Sequence, residues 1–120
     1  MRILVAEKNE VIRKSIQHLL EREGFAVTVV PNGKEVLQKL EQSEYDILMT
    51  NLLLQYYSGF EIISKIKLEN HYPKMKIVVL SDNFTAENMK RLYQIGIDEM
   101  IEKPFSPTEM VLRLQNLGPN

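Results

Sequence analysis

The chain contains no cysteine, which removes disulfides, thiolate nucleophiles and cysteine-built zinc sites from consideration. Neither sign of charge predominates. Fifteen Lys and Arg against sixteen Asp and Glu leave a formal net charge of −1, so no general field draws the chain to nucleic acid or to an anionic membrane. No apolar run is long enough to span a bilayer. The opening Met1-Arg2-Ile3-Leu4-Val5 meets charge at Glu7 and Lys8, so it reads as a core strand rather than a secretory signal, and the expected location is cytoplasmic. His18 and His71 have no acidic or cysteine partners at metal-ligand spacing, and no hydrolytic triad is supported. Repeats, low-complexity tracts and interdomain linkers are missing as well, and Gly118-Pro119-Asn120 reads as a frayed or cut end.

What is present fits one domain over residues 1–120, 44% hydrophobic and 26% charged, close to the ordinary globular average. Five short runs rich in Val and Ile read as strands: Ile3 to Ala6, Ala26 to Val30, Ile47 to Met49, Ile77 to Leu80, and Met100 to Ile101. Between and after them the apolar spacing turns helical, at Ile12, Ile16, Leu19 and Leu20, then Val36, Leu37 and Leu40, then Phe60, Ile63 and Ile66, then Met89, Leu92 and Tyr93, and finally Met110, Leu114 and Leu117. Asn9, Asn32, Ser58 and Thr85 stand where helix N-caps are needed. Ser106-Pro107-Thr108-Glu109 reads as a capping box with proline at the first helical position. Gly24 and Gly96 suit left-handed helix stops.

Strict alternation of near-continuous apolar strands with helices implies a parallel sheet covered on both faces, because parallel strands need right-handed helical crossovers. The expected fold is a doubly wound, three-layer α/β sandwich. In such sheets ligands collect beyond the carboxyl ends of the strands, where the strand order reverses. The loops that matter are therefore those after Ala6, Thr50, Leu80 and Ile101.

Those loops carry Glu7-Lys8, Thr50-Asn51, Ser81, and Lys103-Pro104-Phe105. Together with Pro31-Asn32-Gly33, Ser58-Gly59-Phe60-Glu61 and Glu102-Lys103-Pro104-Phe105-Ser106-Pro107, the arrangement resembles the receiver domain of two-component response regulators over essentially the whole chain. The resemblance implies a flavodoxin-like five-stranded sheet in order 2-1-3-4-5, and a cis peptide before Pro104 as the family often has. It also implies a pocket in which an acidic pair and an aspartate hold magnesium. In that pocket the aspartate accepts a phosphoryl group, and a Ser or Thr and a Lys hold the phosphate.

Mapped onto that pattern, Asn51 stands at the phosphoacceptor position and Glu7 with Lys8 at the acidic pair, while Ser81 and Lys103 stand at the phosphate-holding positions. A carboxamide has a delocalised nitrogen lone pair and no full charge on oxygen, so it is no substitute for the attacking carboxylate. Magnesium demands hard oxygen ligands, and the Lys8 ammonium is its competitor. The formal charge of the pattern changes from −2 to +1. The expectations are that magnesium binding is lost or weak, that no cofactor is required, and that the chain is not an enzyme of aspartyl phosphotransfer.

Asp82 follows Ser81 at a usually small position, and an internal ion-pair network of Glu7, Lys8, Asp82 and Lys103 is expected to replace the metal, with Asp82 paired to Lys8 or Lys103. Met100 takes the place of the switch aromatic and Gln55 that of a loop proline. Adjacent Tyr56 and Tyr57 suit interface anchors in a ligand-end loop, or a roof over the altered pocket.

The resulting reading is a degenerate receiver acting as a phosphorylation-independent protein-interaction or dimerisation module. Its partner is a protein or a linked output domain lying beyond residue 120, and neither nucleic acid nor membrane is contacted by this domain. The expected homodimer face is the fourth helix, fifth strand and fifth helix, where Lys90, Arg91, Asp98, Glu99, Glu102 and Arg113 offer mixed charge. Two alternatives stand beside it. One is a receiver that still takes phosphate from a histidine kinase, through an unusual acceptor such as Glu7 or Ser81 or with Asn51 as an engineered block. The other is a sensor of an anion or small molecule held by Lys8 and Lys103.

Overall fold

A computed structural model of the chain describes residues 1–117; the three residues read as a frayed end, Gly118 to Asn120, lie outside the described part. Strands and helices alternate throughout: β1 (Arg2–Ala6), α1 (Glu10–Arg22), β2 (Ala26–Val30), α2 (Gly33–Gln42), β3 (Ile47–Asn51), α3 (Gly59–Glu69), β4 (Lys76–Ser81), α4 (Ala86–Ile95), β5 (Glu99–Glu102) and α5 (Pro107–Gln115). All four strand pairings are parallel, in the order β2-β1-β3-β4-β5. The order reverses beside β1, so the carboxyl ends of β1, β3 and β4 converge on one crevice.

Side-chain alternation divides the core into two layers. Leu4, Ala6, Leu48, Ile77 and Val79 face α2, α3 and α4, packing with Val36, Leu40, Ile62, Ile63, Ile66 and Leu92. Ile3, Val5, Ile47, Met49, Val78 and Leu80 face α1 and α5, packing with Ile16, Leu20, Met110, Val111 and Leu114. Being covered on both sides, the inner strands have no polar face, which explains their unbroken apolar runs.

Four of the five expected caps bond as anticipated, with Asn9, Asn32, Ser58 and Thr85 accepting N–H bonds from Ile12, Glu35, Glu61 and Asn88. The fifth needs correction. Ser106 accepts from the Glu109 N–H, but Glu109 Oε1 receives Arg113 Nε and Nη2 at 3.0 and 2.7 Å, so its carboxylate serves the i,i+4 partner instead of reaching back. The reciprocal capping box forms at Ser58 and Glu61. Two aspartates stitch strand starts to the preceding turns: Asp46 Oδ2 accepts from Arg2 N and Asp98 Oδ2 from Ile77 N, at 2.7 and 2.8 Å. Asp98, expected as free surface charge, is therefore committed within the fold.

The loop from Leu52 to Ser58 is fastened sideways onto α2. The Gly33 N–H donates to the Gln55 carbonyl at 3.1 Å, and a Cβ at residue 33 would fall inside the contact radius of the Tyr57 carbonyl oxygen. Since that obstacle is backbone, Gly33→Ala is expected to lower stability by about 1–3 kcal/mol, the range for forced overpacking. Urea denaturation of the variant beside the parent measures it.

Candidate functional site

Glu7 is the first residue beyond β1, and its side chain turns into the interior, fully buried. Burying a carboxylate is tolerable only when its oxygens are supplied with donors and counter-charge. Here Oε1 receives Lys103 Nζ at 2.6 Å and Asn51 Nδ2 at 3.1 Å, while Oε2 receives the Asn9 N–H at 2.8 Å. The Glu7 carbonyl is held in turn by Arg13 Nη1 at 2.9 Å.

Asn51 ends β3 at 3% exposure. Both hydrogens of its carboxamide have acceptors, Glu7 Oε1 and the Leu80 carbonyl at 3.3 Å. Its Oδ1 accepts the Lys8 N–H at 3.0 Å. This pattern sets the orientation of the amide, because the opposite one would aim Oδ1 at a carboxylate and a carbonyl. Lys103 reaches the site from the β5–α5 connection, where its own N–H donates to the Ser81 carbonyl at 2.8 Å and the peptide to Pro104 is cis. Ser81 Oγ accepts the Asn83 N–H at 3.1 Å. Among the described residues no buried side-chain nitrogen or oxygen lacks a partner.

Glu7, Asn51 and Lys103 are thus brought into one bonded group, but the wider network expected from the sequence is not formed. Lys8 and Asp82 are both exposed, and among the described residues neither enters an ion pair. The correction has a simple cause. Glu7 is buried directly beyond β1, and the chain then bends at Lys8, which is left exposed. Once Glu7 has neutralised Lys103, Asp82 has no buried cation to seek, and an exposed pair contributes only about 0–1 kcal/mol.

Above the bonded group lies a cleft of about 440 Å³ lined by Lys8, Asn51, Leu53, Phe60, Ser81, Asp82, Arg91 and Lys103 among others. Arg91 sits over the Phe60 ring at 4.1 Å, a cation–π contact that no spacing in the sequence signals. Among the described residues no three His, Cys, Asp or Glu side chains come together as a metal cluster, and no helix is long and apolar enough to cross a membrane. His18 and His71 are exposed and do not line the cleft. Tyr56 and Tyr57 are absent from the cleft lining and are 70% and 43% exposed, so they do not roof it.

Met100, half-buried, packs against the α2–α4 layer. It also lines a second cleft of about 520 Å³ with Phe84, Met89, Tyr93 and Phe105, flanked by Glu99, Glu102 and Arg113. Arg113 bonds both Glu99 and Glu109, so part of the mixed charge on this face is satisfied internally.

Compared with known proteins, residues 3–115 match the family model for the response regulator receiver domain. The chain is 32% identical over 117 residues to Response regulator RR06 of Streptococcus pneumoniae, covering 98% of this chain and 52% of that protein. It is also 32% identical to the transcriptional regulatory protein ResD of Bacillus subtilis, covering 97% and 47%. It therefore spans about half the length of these curated relatives. In fold it is similar to the chemotaxis protein CheY4 of Vibrio cholerae, with TM-score 0.90 at 22% identity over 98% of each chain. A further likeness is to the receiver domain of the sensor histidine kinase PA1611 of Pseudomonas aeruginosa, with TM-score 0.86 at 25% identity over 97% of this chain and 95% of that one; that structure has a magnesium ion coordinated in its active-site cleft.

Proposed function

The chain belongs to the response regulator receiver domain family, and from that premise we propose that it is a receiver closed to phosphorylation by its own side chains, working through protein contacts instead. One observation carries the reading: the carboxamide at the phosphoacceptor position donates to Glu7 and to the Leu80 carbonyl while accepting from the Lys8 N–H. Its nitrogen lone pair is delocalised and its oxygen, without a full charge, is held by a backbone donor, so it lacks the carboxylate nucleophile for attack on phosphorus.

On this reading magnesium finds no cradle. Among the described residues the one buried carboxylate, Glu7, already serves Lys103, Asn51 and the Asn9 N–H, and the Asn51 oxygen faces a backbone donor. A divalent ion needs several hard oxygens converging in near-octahedral geometry, and to gain even one it would have to displace the Lys103 ammonium. The anion-sensor alternative is weakened by the same contact, since Lys103 gives its charge to Glu7 and the other cations of the cleft, Lys8 and Arg91, share it with Glu61 and Asp82.

The signalling partner, on the same reading, is a protein or a linked output module beyond residue 120, in the cytoplasm. The α4–β5–α5 face is a contact surface, with Met89 and Tyr93 partly to largely exposed beside the second cleft, and it is where a homodimer would form.

Intact-mass spectrometry after incubation with acetyl phosphate and magnesium tests the proposal. The expected result is an unchanged mass under conditions that fully label a competent receiver run in parallel. A stoichiometric phosphate adduct, whether on Glu7, Ser81 or elsewhere, would overturn it.

A further inference from the structure

The β3–α3 loop is built for contact in a way the pocket does not require. Tyr56 holds φ at +71°, the left-handed region that a bulky residue enters only when its surroundings enforce it. A tight turn within the loop goes with it, the Tyr57 N–H donating to the Gln55 carbonyl at 2.9 Å, and the same carbonyl is fastened to α2 by the Gly33 N–H at 3.1 Å. The strained backbone does not bury its rings. Tyr56 and Leu53 are each 70% exposed, and Lys34 Nζ stands 5.8 Å from the Tyr56 ring centroid.

Next to this loop opens a cleft of about 670 Å³ lined by Lys8, Asn9, Pro31, Asn32, Leu53, Leu54 and Gln55. Its lining has no acidic side chain and one cation. The Asn9 and Asn32 side-chain oxygens are occupied as helix caps, so Lys8 is the charged group of the lining that meets a newcomer, beside the Gln55 amide. Apolar Leu53 and Tyr56, flanked by Lys8 and Lys34, therefore form a pre-set patch with cations at its edges, the nearby Glu35 carboxylate being held by Asn32 Nδ2, and in such a patch rigid aromatic anchors lower the ordering cost of binding.

We infer that this surface, the β3–α3 loop with Lys8 and the start of α2, docks an acidic protein segment in which carboxylates alternate with apolar side chains. Carboxylates meet Lys8 and Lys34, and an apolar side chain enters the cleft beside Leu53 and Leu54. The inference rests on the reading of the chain as a protein-interaction module and names the partner's chemistry. It also gives the Glu7-Lys8 dipeptide a divided role, with the acid holding the interior and the base serving the surface.

The test is a titration of the isotopically labelled chain, followed by amide chemical shifts, with a capped pentapeptide of alternating glutamate and leucine and with its lysine-for-glutamate counterpart. The acidic peptide is expected to shift the amides of Lys8, Asn9, Lys34 and the segment 53–57, and the basic peptide to leave them in place. Lys8→Glu with Lys34→Glu should weaken the acidic peptide at least tenfold. Tyr56→Gly, which relieves the left-handed strain, should weaken it while leaving the Tm equal or higher. No shifts with millimolar acidic peptide, equal shifts with both peptides, or Tyr56→Gly binding that matches the parent would each overturn the inference. None of these outcomes depends on phosphorylation, so failure here is distinguishable from failure in the mass measurement.

Discussion

Lys103→Met is expected to cost about 3–5 kcal/mol of folding stability, the scale for removing one partner from a buried ion pair. Glu7 is fully buried, and among the described residues Lys103 Nζ is its one ion-pair partner, at 2.6 Å; the Asn51 and Asn9 N–H groups that remain are dipoles only. Against a typical total of about 5–15 kcal/mol, the loss is large. Glu7→Gln combined with Lys103→Met removes both charges and should recover most of the deficit, and urea melts of the parent, the single variants and the double variant would complete the cycle. A single variant as stable as the parent at neutral pH would contradict the assignment of Lys103 as the counter-ion.

Asn51→Asp is expected to destabilise the protein by about 2–4 kcal/mol at neutral pH, although it restores the family's phosphoacceptor. The carboxylate would keep the bond from the Lys8 N–H but lose both donations, and a lost buried hydrogen bond costs about 1–3 kcal/mol. It would also stand beside Glu7, where two like charges ~4 Å apart repel by about 4 kcal/mol at an effective dielectric of ~20, before the nearby Lys103 offsets part of it. Adding Lys8→Asp supplies the missing acid of the pair. Magnesium should then stabilise the double variant, by about 2.7 kcal/mol at a hundredfold excess over its dissociation constant, and acetyl phosphate should label it. If Asn51→Asp alone matched the parent in stability, the hydrogen-bond account of position 51 would be wrong.

Most of the fold was legible because its signals are local and repeated. Four cap residues, two left-handed glycines and five apolar runs each select one conformation, and their alternation leaves a parallel sheet as the consistent solution. The strands run a little further than the apolar runs, since Asn51, Ser81 and Glu102 keep the ladder, and the first two already present polar side chains to the crevice. The site was legible in membership but not in partnership. That Glu7, Asn51 and Lys103 converge follows from the motif pattern; that Asp82 stays outside does not, because a sequence shows which charges are near but not which one burial makes indispensable. Arg113 illustrates the same limit, with three acids within reach along the chain and two of them, Glu99 and Glu109, chosen by geometry. The Gly33–Tyr57 approach had a faint signal in Pro31-Asn32-Gly33, while nothing in the sequence points to the left-handed Tyr56.

The bonded group of Glu7, Asn51 and Lys103 also bears on descent. On the proposed reading, a return to the family's acidic pattern takes changes at Lys8 and at Asn51, and the two are unequal: Lys8 is exposed, so an acid there puts no charge in the interior, whereas an acid at position 51 stands beside the buried Glu7 carboxylate. Selection for foldability alone therefore opposes the second change and holds the carboxamide in place.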